Sequence, residues 1–195
     1  MTTDILSKKV KRRRLKPFIL TTSVKDLAKE LGDVLPDENE VVKLISLYGG
    51  IASLSFIKLV ADREAIEELT ASTLRIGRKQ FQYLTSMGAT KKLKAARFFT
   101  SSMQKDVDAA SAKASYNYAK QFETVCQKNG WKNLIVNNHS KIILMRTKNN
   151  YYVLETSSNL NENPKIEQYS FENNKELYDF YYSFFDALEN RVLNE

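Results

Sequence analysis

The sequence predicts an α/β layer fold, and three observations carry that expectation. From residue 41 onward, short runs rich in β-branched and aromatic residues alternate with longer runs of helical spacing. The runs are punctuated by turn signals at Gly49-Gly50, Gly77, Gly130 and Asn149-Asn150. At 195 residues with 43% hydrophobic composition, the chain can bury one full core but is short for two. The expected organisation is a basic N-terminal arm with a short helix and linker over residues 1–40, followed by one α/β domain over residues 41–195.

The elements follow in order. Residues 8–16, KKVKRRRLK, place Lys8, Lys9, Lys11, Arg12, Arg13, Arg14 and Lys16 ahead of Pro17, either as a solvated arm or as an electrostatic foot on nucleic acid phosphates. Ser23 and Asp26 form an S-x-x-D capping box; Leu27, Ala28 and Leu31 make an apolar stripe that Gly32 ends, and DVLPDENE reads as a linker. VVKLISLY is strand-like. SLSFIKLVAD then has helical spacing at Leu54, Ile57 and Val60 behind a Ser53 cap. IEELTASTLRI reads as a strand, RKQFQYLTSM as a short helix after Gly77, and AARFFTSS as the next strand. The longest helix is expected from about Asp106 to Lys128, on the spacing of Ala112, Tyr116, Ala119, Phe122 and Cys126. WKNLIVNN and KIILMRT are strands interrupted around His139, and NNYYVLETSS pairs with the second as a hairpin. A last amphipathic helix near residues 175–192 carries Leu177, Tyr181, Phe184, Leu188 and Val192. Its aromatic run, YDFYYSFF, reads as core and subunit packing rather than a base-stacking platform.

Charge and cysteine narrow the function classes. A formal net charge of +7 favours a polyanionic partner, and nucleic acid is the first choice. The one cysteine, Cys126, cannot form an internal disulfide and reads as a small core residue. The polar, basic start lacks the apolar run of a secretory signal, and no stretch has the length of a membrane span, so a cytoplasmic protein without integral membrane association is expected. Neither a phosphate loop nor a G-x-G-x-x-G turn is present, which removes support for a nucleotide-dependent enzyme. No cofactor is expected.

The only histidine, His139, stands two residues before Lys141 at the mouth of a strand. One strand and a turn later come Ser157, Asn159 and Glu167. Ends of adjacent strands lie side by side, so an imidazole, an ammonium, a hydroxyl and an amide can converge on one small anion such as phosphate.

This pattern resembles one half of the phospholipase D superfamily, whose signature is H-x-K, a hairpin, then G-S-x-N and a later glutamate; the matching residues are His139, Lys141, Ser157, Asn159 and Glu167. The likeness extends over about residues 41–185 and is nearest to the single-motif members, which include small nucleases. It implies a phospholipase D-like mixed β-sheet flanked by helices. It also implies a metal-independent phosphodiesterase, one histidine attacking phosphorus to form a phosphohistidine while another protonates the leaving oxygen. With one histidine per chain, two subunits must share the site, hence an expected homodimer. Lys141 and Asn159 are expected to stabilise the transition state, Ser157 to add a hydrogen bond, and Glu167 to accept from the imidazole nitrogen facing away from phosphorus. Two positions depart from the family: Arg146 stands where it has aspartate, and Thr156 replaces the glycine before the serine. The alternatives are a catalytically inactive nucleic-acid-binding protein, for which Arg146 is the motive, and a phospholipid phosphodiesterase.

Overall fold

The computed structural model describes residues 14–15, 19–21, 35–46, 51–101, 118–161 and 165–194. Nine strands share one sheet. The two short ones, β1 (Arg14–Leu15) and β2 (Ile19–Thr21), pair in parallel with β3 (Glu40–Ser46). The main sheet is completed by β4 (Ile66–Thr73), β5 (Leu93–Ser101), β6 (Lys132–Val136), β7 (Ile142–Arg146), β8 (Tyr151–Thr156) and β9 (Glu167–Asn173). Its order is β1-β3-β9-β8-β7-β4-β5-β6. The β4, β5 and β6 strands run in parallel, whereas β3, β9, β8, β7 and β4 alternate in direction. The sheet is therefore mixed, as expected.

Strand alternation sends successive side chains to opposite faces, and both faces carry apolar residues because both are covered. Ile143 and Met145 of β7 join one core with Leu69, Phe98 and Phe171; Leu144 joins the other with Phe99 and Val153. Helices α1 (Ser53–Ala61), α2 (Arg78–Ala89) and α3 (Tyr118–Asn129) cover the first face through Phe56, Leu84 and Phe122. Helix α4 (Lys175–Asn194) covers the second through Leu177, Tyr178 and Phe185; of the expected stripe Leu177 is buried, Tyr181, Leu188 and Val192 pack against this core, and Phe184 is instead 49% exposed, its place taken by Phe185.

The α2–α3 corner is built around Trp131. An added Cβ at Gly88 would lie 2.9 Å from the indole, so glycine is what lets α2 pack this close. Gly130 ends α3 with φ +67°, the left-handed conformation glycine adopts freely, and Trp131 N–H then donates to Cys126 O at 2.7 Å. Cys126 is buried in the same core, and that burial pushes its thiol up to about 12.

Two expectations changed. Ser53 begins α1 but does not cap it: the cap residue is Ala52, and the Ser53 hydroxyl donates to Ser158 O at 2.9 Å. The β9 strand had no counterpart in the sequence reading; only Tyr169 and Phe171 face a core, and polar residues occupy the alternate positions. The described part of the helix expected from Asp106 is α3, and residues 102–117 lie outside the described residues. So do the capping box at Ser23 and Asp26 and the turn at Gly49-Gly50.

A buried ion cluster ties α4 to the sheet. Arg97 of β5 donates to Thr70 Oγ1 at 2.9 Å and to Glu189 Oε2 at 3.0 Å, and its guanidinium lies 4.3 Å from the Tyr182 ring centroid. The Arg97 and Glu189 side chains are each 7% exposed, so neither charge has water to fall back on. Burial pushes the Glu189 carboxyl up, but hydrogen bonds from Lys132 and Arg97 outweigh it and hold the group below the ordinary carboxylate range. Glu189→Gln is expected to lower stability in urea titrations by about 2 kcal/mol at neutral pH, because it removes the nearer and buried one of the guanidinium's two carboxylate partners and leaves only the exposed Asp186 at 3.4 Å. The folded-state pKa is depressed, so this contribution is present above the unfolded pKa and is lost as pH falls through the folded one. The gap between wild type and variant should accordingly close on acidification.

Candidate active site

Strand directions put the carboxyl ends of β3, β4, β5, β6 and β8 at one end of the sheet, together with the amino ends of β7 and β9. In the sheet order β6 is separated from β7 by β5 and β4, so the connection at residues 137–141 has to cross the ends of those two strands. A crossing of that kind must satisfy the polar groups it covers. Asn138 does so: its Nδ2 donates to Phe99 O at 3.0 Å and to Ser72 Oγ at 2.8 Å, and its Oδ1 accepts from Ser140 N and Ser140 Oγ, each at 2.8 Å.

His139 follows, exposed above this anchor. The Lys141 ammonium donates to His139 O at 2.6 Å and lies 3.1 Å from Nδ1. An ammonium only donates, so Nδ1 accepts and the ring proton resides on Nε2.

The β8–β9 connection carries the remaining residues to the same end. Thr156 Oγ1 accepts from Ser158 N at 2.9 Å, so the residue replacing glycine closes the turn that presents Ser157. Asn159 Oδ1 accepts from Leu74 N at 3.2 Å, and Leu160 N donates to Thr73 Oγ1 at 3.0 Å, which docks the loop on the end of β4. Ser157 Oγ donates to Glu167 Oε2 and accepts from Gln168 N at 3.0 Å. The carboxylate thus holds Ser157. Burial lowers the pKa of Lys141, and the nearby Glu167 opposes that shift without cancelling it. Lys141 also borders a groove of about 780 Å3 with Lys43, Ile45, Glu155 and Ser170.

His139 and Lys141 are in direct contact, and so are Ser157 and Glu167; Asn159 shares the loop of Ser157. Arg14 lies in β1 beside Glu40, at the opposite end of the sheet, while Lys8, Lys9, Lys11, Arg12, Arg13 and Lys16 lie outside the described residues. Arg146 is also remote, about 15 Å along β7 from Lys141, where it pairs with Glu68 at 3.2 Å. Asn138, Ser72 and Thr73 were not singled out from sequence. A turn-forming Asn137-Asn138 pair was visible, but its partners are 66 and 39 residues away.

No family model matches the chain, and no curated protein matches it in sequence. Among solved structures it is similar to polyphosphate kinase from Porphyromonas gingivalis, with TM-score 0.56 and 12% identity over 77% of this chain and 26% of that one. It is also similar to phosphatidylserine synthase from Haemophilus influenzae Rd KW20 (TM-score 0.49, 13% identity, 67% of this chain, 34% of that one). A third is TrmBL2, an archaeal chromatin protein (TM-score 0.48, 10% identity, 86% of this chain, 59% of that one). The chain thus spans about a quarter to three fifths of these proteins. The likeness to polyphosphate kinase shows the fold alone, a mixed α/β sheet flanked by helices.

Two outcomes follow from this geometry. Arg146→Asp should cost about 1 kcal/mol by facing Glu68 with a like charge, and Glu68→Arg in the same chain should restore most of it in thermal melts. Because the folded-state pKa of Lys141 is lowered, its charge is lost on the alkaline side earlier than for a surface lysine. Inorganic phosphate binding, followed by NMR titration, should therefore weaken at lower pH in wild type than in Lys141→Arg.

Proposed function

We propose that the chain is a metal-independent phosphodiesterase, a nuclease cutting DNA or RNA through a phosphohistidine at a site completed by a second copy. The observation that carries this reading is the assembly of His139, Lys141, Ser157, Asn159 and Glu167 at one sheet end. These groups come from two connections, one between β6 and β7 and one between β8 and β9. A sheet end is also where α/β folds hold their ligands.

The chemistry can be followed atom by atom. An arriving phosphodiester competes with Nδ1 for the Lys141 ammonium. As the ammonium turns to the phosphate oxygens, Nδ1 is released to carry the ring proton, and the Nε2 lone pair becomes available. Nε2 attacks phosphorus, and the bond to the leaving oxygen breaks. That oxygen takes a proton from His139 of the partner subunit, which enters this step as imidazolium and, neutral after giving the proton up, removes one from the water that hydrolyses the phosphohistidine. Lys141 and the Asn159 amide meet the negative charge that grows on phosphorus oxygens, and the Ser157–Glu167 pair holds that side of the site in place.

Nucleic acid is the substrate class favoured by the net charge of +7 and by the basic arm at residues 8–16. The groove beside Lys141, with Lys43 on its wall, has room for a polymer strand. Among the described residues no helix is long and apolar enough to cross a membrane. Arg146 had been the motive for a catalytically silent protein. It pairs with Glu68 at 3.2 Å, and the inactive alternative is decided by the nicking assay below.

Plasmid incubated with the purified protein in EDTA should be nicked, and His139→Asn should abolish nicking. Lys141→Ala should reduce it roughly 100-fold or more. Nicking that survives His139→Asn would end the covalent mechanism, and faster hydrolysis of a phosphatidylcholine analogue than of plasmid would redirect the substrate to lipid. Sharing of the site has its own test. In an equimolar, exchanged mixture of wild type and His139→Asn, about one quarter of wild-type specific activity should remain, whereas independent sites would retain about one half.

A further inference from the structure

Three side chains flanking His139 close a ring of hydrogen bonds. Asn138 Nδ2 donates to Ser72 Oγ at 2.8 Å, the Ser72 and Ser140 hydroxyls lie 2.5 Å apart, and Ser140 Oγ donates to Asn138 Oδ1 at 2.8 Å. Chemistry fixes the direction. The Phe99 carbonyl only accepts and the Ser140 backbone N–H only donates, so both ends of the Asn138 amide are assigned. Ser140 commits its one hydroxyl proton to Asn138, so Ser72 must donate to Ser140. Each member is then both donor and acceptor in the same sense around the ring, an arrangement in which the bonds polarise and strengthen one another.

The ring stands on a rigid base. Ser72 is 1% exposed and belongs to β4, which is paired on one side with β5 and on the other with β7. Asn138 and Ser140 bracket His139, whose side chain, among the described residues, hydrogen-bonds with Lys141 only. The imidazole is exposed. Besides the Lys141 contact, its direction depends on the backbone on either side, and that backbone is held by the ring.

From this geometry we infer that the Asn138–Ser72–Ser140 ring positions His139 for reaction. Asn138 and Ser72 are positioning residues, and their loss lowers turnover while leaving substrate binding intact. The kinetic part rests on the phosphodiesterase reading above; the spectroscopic part does not.

One histidine per chain means that the imidazole region of a 15N–1H spectrum reports a single side chain. In Ser72→Ala and Asn138→Ala the ring signals should broaden or double relative to wild type. Turnover on plasmid in EDTA should fall roughly 10- to 100-fold with KM held within about twofold, the signature of a misdirected nucleophile. Ser72→Thr keeps the hydroxyl and should stay within about threefold of wild type in turnover, with wild-type ring signals. A mere packing role predicts the reverse, with alanine tolerated and threonine harmful. Equal losses in Ser72→Ala and Ser72→Thr, a raised KM at unchanged turnover, or unaltered imidazole signals in Ser72→Ala would each overturn the inference. If the wild-type protein cuts nothing, the phosphodiesterase reading fails by itself, and the NMR comparison still decides the role of the ring.

Discussion

The middle strands of this sheet are covered on both faces, and that constraint decides where chemistry can take place. A strand such as β7 sends Ile143 and Met145 to one core and Leu144 to the other, so no side chain in its centre is free to meet a solute. Polar groups that have to be both fixed and reachable are left with the strand ends. A buried polar pair between sheet and helix, Arg97 with Glu189, is matched in charge and serves to hold α4 down. The connections at the other end of those strands do the opposite. They expose His139 while tying its neighbours to backbone carbonyls and hydroxyls of β4 and β5.

Charge at that end is distributed over a chain of contacts. Glu167 is buried and holds Ser157; its field steadies the Lys141 ammonium, which in turn sits on His139. A carboxylate placed directly against the imidazole would fix one tautomer permanently. With an ammonium as intermediary, the tautomer depends on what else the ammonium touches, so an incoming anion can change it.

Much of the architecture was legible because apolar spacing is a local signal. The α4 stripe, the β7–β8 hairpin with its Asn149-Asn150 turn, and the stop at Gly130 can all be read within a few residues of sequence. β9 was not legible: Glu167, Gln168, Ser170 and Glu172 give its alternation the look of a polar loop, and only pairing with β3 and β8 makes it a strand. In the candidate site, the H-x-K and S-x-N spacing brought four residues into view, but the hydrogen bond between Ser157 and Glu167 had no local signal. Ser53 shows the same limit: beside a helix start it looks like a cap, and a carbonyl 105 residues away claims its hydroxyl instead. Long-range hydrogen bonds leave no periodic trace. Arg146 stands where the resembled family has aspartate, and only the fold shows that it pairs with Glu68.

The corner around Gly88 has an optical corollary. The chain's single indole is 5% exposed there, with its ring centroid 6.1 Å from that of Phe98. Intrinsic fluorescence excited at the red edge of aromatic absorption therefore comes from one emitter in a dry environment. It will register loosening of the helical layer over β5 and β6, and it will stay silent about ligands that settle at the sheet end.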